Sequence, residues 1–315
     1  MFEAIETVVI GTSLTELSDD VVRAGVEVAR AAGARVCLVH AFQPQWAYSA
    51  GPYLTETFIQ ETLQVEKDLA ERRLAEQASR LGIREEEIAG RVVAYGPPHR
   101  IVIEVAEEVA AGLIVVGSTE SPQLAKLFGS TADRVIRKAT RPVLMVRGRL
   151  RVPVRRVLMP VDLSPLSAVA FRRGLEVLRR IAADSEVQLE VTFVIEPLDR
   201  ELLTGRDLPP ASEAAALEEL DTFVHRNAAW SGRELTTRLL YGEAEKEIRE
   251  RAGDWHADLV VLGTHGRGGF ERFLLGSVAA DVVRRGPTSV LVIPPETAPE
   301  ALHAVPEPER VAAFA

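Results

Sequence analysis

The sequence has a single cysteine in 315 residues and no surplus of cations. It also has no apolar run approaching the roughly 20 residues that span a bilayer. Each absence excludes a class of protein. One cysteine, Cys37, rules out an intramolecular disulfide and fits a reducing compartment. It lies in the apolar run "RVCLVHAF", where a buried, inert thiol is expected. A formal net charge of −9 argues against sequence-independent nucleic-acid binding, which needs clustered cations to displace counterions. The acidic start "MFEAIETVVIG" enters an apolar run too short for a secretory signal. Neither nucleic acid nor a membrane is expected as a partner, and the cytoplasm is the expected location. His40, His99, His225, His256, His265 and His303 show no metal-ligand spacing. There is no G-x4-G-K-[ST], and no G-x-G-x-x-G that joins a strand directly to a helix.

What is present is a repeat. Hydrophobic residues make up 47% of the chain and charged residues 26%, enough apolar material for two cores. Five apolar segments recur in the same order. "VVIGTSLTELS" (Val8 to Ser18) parallels "VLMPVDLSPLS" (Val157 to Ser167), and "VCLVHAFQP" (Val36 to Pro44) parallels "LEVTFVIEP" (Leu189 to Pro197). "VVAYGPPHRIV" (Val92 to Val102) matches "RLLYGEAEKEI" (Arg238 to Ile248). "AGLIVVGST" (Ala111 to Thr119) matches "ADLVVLGTH" (Ala257 to His265). "RPVLMVRG" (Arg141 to Gly148) matches "TSVLVIPP" (Thr288 to Pro295).

In each copy short β-branched runs alternate with longer amphipathic segments. "SDDVVRAGVEVARAAG" (Ser18 to Gly33) and its counterpart "SAVAFRRGLEVLRRIAA" (Ser167 to Ala183) carry helical periodicity, and the first ends on a glycine. Strands alternating with such helices imply crossover units and a parallel sheet. The expected fold is therefore α/β: two tandem doubly wound domains, each a five-stranded parallel sheet with helices on both faces. The expected boundaries are 1–147 and 154–295, followed by a flexible tail over 296–315. "RGRLRVPVRR" (Arg147 to Arg156) is expected to be a solvated linker. "FIQETLQVEKDLAERRLAEQASRLG" (Phe58 to Gly82) predicts a long charged helix whose apolar positions pack on the sheet.

Ligands of doubly wound folds sit outside the carboxyl ends of the strands, and the passage after the fourth strand of the second copy is rich in glycine. Its spacing is Gly263-x2-Gly266-x9-Gly276-Ser277. Glycines let backbone N–H groups turn inward and let a ligand approach without a Cβ in the way. Gly276-Ser277 then opens the helical segment "SVAADVVRR", whose first amides lack internal partners and carry the positive end of the helix dipole. Two anion sites facing each other suit a polyphosphate. The Ser277 hydroxyl either caps the helix or bonds a phosphate oxygen, and Arg267 adds positive charge beside the loop.

Together with the repeat, these residues resemble the universal stress protein family in its tandem form, over residues 4 to 294. The resemblance implies an adenine nucleotide alpha-hydrolase-like fold and ATP as ligand, with Mg²⁺. It maps a base site onto Pro160, Val161, Asp162 and Val194. Its phosphate pattern matches Gly263, Gly266, Gly276 and Ser277, with Val278 following; His265 and Arg267, in and beside the loop, either contact phosphate or face solvent. Asp162 can accept from an exocyclic amine; its other role would be to cap the following helix. The first copy departs from this pattern. Ser13 stands in place of Asp162, Glu120 replaces the second glycine after Gly117, and only eight residues separate Glu120 from Gly129-Ser130. A carboxylate within a phosphate nest repels the ligand, so the first copy is expected not to bind ATP.

The role implied is regulation in a stress response through nucleotide-dependent shape or partner choice, the protein partner being unspecified. The alternatives are a slow ATPase or nucleotide-cleaving enzyme, with His265 in the loop, and a nucleotide-independent interaction scaffold. In such proteins the last strands of two domains pair. "RPVLMV" and "TSVLVI" could do so within one chain, forming a pseudo-dimer and leaving a homodimer open.

Overall fold

The computed structural model describes residues 4–44, 55–118, 131–182, 186–196, 210–228, 235–264 and 275–295. In the first half, β1 (Thr7–Gly11), α1 (Asp19–Ala32), β2 (Arg35–Phe42), α2 (Glu56–Arg80) and β3 (Ile88–Tyr95) are followed by α3 (Pro98–Glu108), β4 (Leu113–Gly117), α4 (Thr131–Lys138) and β5 (Val143–Val146). The second half repeats the series. It runs β6 (Arg156–Val161), α5 (Pro165–Ile181), β7 (Gln188–Ile195), α6 (Pro210–Asn227), β8 (Leu235–Tyr241), α7 (Ala244–Asp254), β9 (Leu259–Gly263), α8 (Ser277–Arg285) and β10 (Ser289–Ile293).

Alternation within the strands accounts for the layers. Val8 and Ile10 of β1 point into one core and Val9 into the other; Leu113 and Val115 of β4 oppose Ile114 and Val116 in the same way. A strand apolar on both faces must be covered on both. Residues of α1, α2, α5 and α6 complete the first core, and residues of α3, α4, α7 and α8 complete the second.

The strands form one ten-stranded sheet in the order β3-β2-β1-β4-β5-β10-β9-β6-β7-β8. Each half is parallel and doubly wound, as expected, and reverses direction beside its first strand. The halves meet where β5 and β10 pair antiparallel, with Leu144 opposite Leu291. Both leucines are fully buried, and each core runs unbroken across the junction.

Close approach of helix to sheet explains two glycines at matching places in the repeat. A Cβ on Gly25 of α1 would stand 2.6 Å from Ile10, and one on Gly174 of α5 would stand 2.7 Å from Val261. The α1 helix stops at Gly33, whose φ of +67° suits a residue without Cβ and whose N–H closes the last turn onto Ala29 and Arg30.

Two segments differ from expectation. The linker is exposed at Arg149, Arg151, Pro153, Arg155 and Arg156, while Leu150 and Val154 are buried in the core shared by α1 and α5. Arg147 donates to the carbonyls of Val283 (2.6 Å) and Arg284 (3.2 Å), so the end of the first half caps α8 of the second. In α2, only the carboxyl-terminal half packs as expected. Ala70, Leu74 and Ala78 are buried, whereas Phe58, Val65 and Leu69 are 51%, 65% and 41% exposed. Length is the reason. The 25 residues of α2 run about 37 Å at 1.5 Å each, and the eight of β2 only about 26 Å.

Candidate functional site

The crevice of the second half lies between β6 and β9, where the strand order reverses. Towards β7, the β6 register continues to Val161 opposite Phe193. Towards β9, it ends at Leu158 opposite Val260. Pro160 has no N–H to donate to a ladder, and the two strands separate around it. In the first half, Gly11 stands at that position, and β1 stays in register with β4 one residue further, to Ile10 opposite Val115.

Asp162 sits half-buried at the mouth, just past the end of β6. Its Oδ1 accepts from the N–H of Ser164 at 2.9 Å, and its own N–H donates to Ser167 Oγ at 3.2 Å. Ser164 in turn caps α5, its Oγ accepting from the Ser167 N–H at 3.1 Å. Asp162 therefore orders the turn into α5, the helix-entry role left open by the sequence. Leu163 takes a φ of +64° in this turn and Leu14 a φ of +59° in its counterpart. Left-handed leucine is strained, and its occurrence in both halves makes it a property of the scaffold.

Val194 is buried near the end of β7, on the face covered by α7 and α8. Its register partner on β8 is Leu240. Pro160 and Asp162 lie on this same face by alternation along β6, as do Leu262 and Thr264 along β9. The structure thus brings Pro160, Asp162, Val194 and Gly263 to the carboxyl end of neighbouring strands. Val161 differs: it is buried in the opposite core and turns its side chain away from the others.

The base of the glycine-rich segment is clamped by Thr264, which the sequence reasoning did not single out. Its N–H donates to Ile293 O at 3.1 Å, and its carbonyl accepts from the Gly276 N–H at 2.8 Å. Thr264 is 6% exposed, and its only sequence signal is its place directly after the apolar run. Gly276 is the N-cap residue of α8, and among the described residues no side chain caps that helix. Ser277 is its exposed first residue, one position past the N-cap. Val278 packs partly against the core on this face. His265, Gly266 and Arg267 lie outside the described residues.

On the other side of the loop base, Leu166, Val169, Ala170, Gly263, Thr264 and Pro294 line a mainly apolar cavity of about 110 Å³. That is well below the roughly 300 Å³ at which small-molecule pockets begin. A ligand the size of a nucleotide would need the open crevice instead.

The corresponding mouth in the first half is built differently. Ser13 is exposed and its hydroxyl lies 2.8 Å from that of Thr15. Thr12, the counterpart of Val161, is 8% exposed and donates to Gln77 Oε1 at 2.8 Å. Gln77 Nε2 donates to Asp19 Oδ1 at 2.8 Å, and Arg80 completes the network on the Asp19 carboxylate. The Arg80 hydrogen bond holds the Asp19 carboxyl below its ordinary range. His40 Nδ1 lies 2.9 Å from Thr12 O, and burial pushes its pKa down. Glu120, Gly129 and Ser130 lie outside the described residues. Burial raises the Cys37 thiol to about 11, in keeping with an inert core cysteine.

Two doubly wound units, joined edge to edge and each reversing beside its first strand, define a tandem α/β protein with a crevice in each half. The sequence matches the universal stress protein family over residues 4–147 and again over 153–294. The chain belongs to that family and contains two of its domains in tandem. A universal stress protein of Mycolicibacterium smegmatis is 28% identical over 317 residues, covering 91% of this chain and 97% of that one. One from Mycobacterium tuberculosis is 31% identical over 218 residues, 64% of this chain and 67% of its own. Among solved structures, a universal stress protein from Archaeoglobus fulgidus covers 93% of this chain and 97% of its own at 19% identity, with a TM-score of 0.65, a likeness of fold. No described helix is long and apolar enough to cross a membrane.

Proposed function

We propose that the second domain binds ATP and that its occupancy regulates the protein in a stress response. The observation that carries this reading is the start of α8. It opens on a glycine that no described side chain caps, beside a crevice where pairing of β6 with β9 stops before Pro160, whereas α5, the helix that follows β6, is capped by Ser164. Uncapped first-turn amides at the end of a parallel strand suit an anion. Adenine would lie against Pro160, Asp162 and Val194, with phosphates towards Gly263, His265, Gly266, Arg267 and Ser277. Val161 enters through its backbone alone, since its side chain belongs to the far core. Asp162 would serve twice, ordering the turn through Oδ1 while its carboxylate presents further acceptor capacity to the base.

Among the described residues, no three His, Cys, Asp or Glu side chains are grouped to hold a metal ion. Mg²⁺ would therefore arrive on the phosphate oxygens, its usual manner of binding in nucleotide sites, and would neutralise charge there.

The test is calorimetric titration of the full chain with ATP and Mg²⁺. One nucleotide per chain is expected, with loss of binding in Gly266→Glu and weakening in Asp162→Ala. Absence of heat at millimolar ATP, or two equivalent sites, overturns the reading.

A further inference from the structure

The last turn of α8 is held by the other half of the protein. Arg147, half-buried directly after β5, donates from one guanidinium nitrogen to the carbonyls of Val283 (2.6 Å) and Arg284 (3.2 Å). Carbonyls in a last turn lack intrahelical partners, and a cation there meets the negative end of the dipole. The Arg147 N–H donates to Ser289 Oγ at 3.1 Å, so the same residue also fixes the start of β10. A second contact comes from α4. Asp133, 8% exposed, accepts from Arg137 of its own helix at 2.9 Å and lies 3.5 Å from the Arg284 guanidinium.

Neither contact has an equivalent at the matching position of the repeat. Pro294 stands where the first half has Arg147 and has no side-chain donor. Counted from Gly129-Ser130 and Gly276-Ser277, Ala280 stands where α4 has Asp133 and has no carboxylate. Both positions therefore act from the first half upon the second.

The α8 helix joins this hold to the candidate site. It has nine residues and is about 13 Å long, with Gly276 at one end and Val283 and Arg284 at the other. Its Ala279, Ala280, Val282 and Val283 share a core with Ala132, Val135 and Ile136 of α4. At its start the Gly276 N–H donates to Thr264 O at 2.8 Å, and the Ala280 N–H donates to Gly276 O at 2.8 Å. So short a helix tilts as a unit, and loosening its last turn disturbs the amides of its first.

We infer that Arg147 and Asp133 are positioning residues through which the first domain sets the anion affinity of the second. The inference rests on the reading that the second domain binds ATP at the start of α8. It gives the first domain a part in binding that needs no ligand of its own. Such coupling is reciprocal: phosphate at the start of α8 tightens the hold on its end.

Calorimetric titration of the full chain with ATP and Mg²⁺, paired with hydrogen exchange, tests this. Arg147→Met keeps the aliphatic stem and removes both carbonyl bonds. It should weaken ATP at least about fivefold, the lower end of typical coupling between sites. Asp133→Asn should weaken it in the same direction by less, and Arg147→Lys, which keeps a charged donor, should recover most of the affinity. Exchange at the Gly276 and Ala280 amides should quicken in Arg147→Met. ATP should slow exchange of the Gly286 amide, which donates to Val282 O, in the unaltered chain but not in Arg147→Met.

Two controls separate positioning from other effects. Arg149→Met removes an exposed charge two residues along the linker and should leave affinity unchanged; an equal loss there would mean a through-space charge effect and overturns the proposal. Leu74→Ala, in the core on the opposite face of the sheet from α8, should lower the melting temperature with affinity unchanged. A matching loss of affinity would mean general destabilisation and overturns it too. If the unaltered chain binds ATP and Arg147→Met binds it equally well, the proposal fails and the nucleotide reading stands. If the unaltered chain binds none, both fail.

Discussion

The two halves of this protein share a scaffold and differ at its mouths. Where the first half places Thr12 in a buried network with Gln77 and Asp19, the second has Val161 and an apolar core. Where the first has His40, the second has Phe193, and where the first has Cys37, the second has Glu190. Glu190 is itself 3% exposed, held by Arg251 at 2.6 and 2.5 Å and by Arg238 at 3.2 Å. The comparison teaches that the copies agree where helix packs on sheet and differ at the carboxyl ends of the strands. Matching glycines on α1 and α5, each packed closely on a strand, and left-handed leucines after β1 and β6 are present in both copies.

Substitutions can break or sharpen this comparison. The largest effect is expected at the junction. Leu144→Ala should cost about 2–5 kcal/mol, as for other fully buried leucines, and should lower one cooperative unfolding transition of the whole chain. Two separate transitions by calorimetry would show that the halves do not share a core. Next, Gly25→Val and Gly174→Val should each cost about 1–3 kcal/mol by overpacking; markedly unequal losses in denaturant titrations would argue that the two helix–sheet contacts are not equivalent. Arg147→Ala should cost about 1–2 kcal/mol through loss of its bonds to the end of α8, an effect without a counterpart at Pro294. Hydrogen exchange at the end of α8 reports it directly, and unchanged protection there would refute it.

The smallest effect concerns pH. Burial lowers the His40 pKa in the fold below its ordinary 6.5, against a smaller opposing pull from the Thr12 carbonyl and with Arg73 nearby adding to the depression. The unfolded chain therefore takes up the proton first. Stability is complete above 6.5 and is lost as pH falls from there towards the native value. His40→Phe, which installs the residue of the second half, should remove that component and flatten the urea midpoint between neutral and mildly acidic pH. An unaltered slope would mean that His40 is not the group responsible.

Much of the architecture was legible in the residues. β-branched runs apolar in both phases, as in "AGLIVVGST" and "ADLVVLGTH", specify strands covered on two faces. The recurrence of five such runs specifies two copies. The place of Gly276 at the start of a helix was legible from loop spacing, and that of Asp162 just past β6 from the family resemblance. Three features were not. The Thr264 clamp depends on a carbonyl meeting Gly276 across a loop, and backbone partners leave no mark on side-chain type. Arg147 reads as one more linker arginine until α8 ends beside it. In α2, Val65 and Leu74 look alike as apolar helix positions, and only the packing of the helix on the sheet decides that one is covered and the other is not.

The sequence alone settled the identity and order of the elements, because burial on one or two faces imposes a period that residue types must obey. Tertiary structure alone decided that strand pairing stops at Pro160 and that the first half of α2 stays exposed. Those outcomes depend on distances between segments remote in the chain, and no local pattern encodes them.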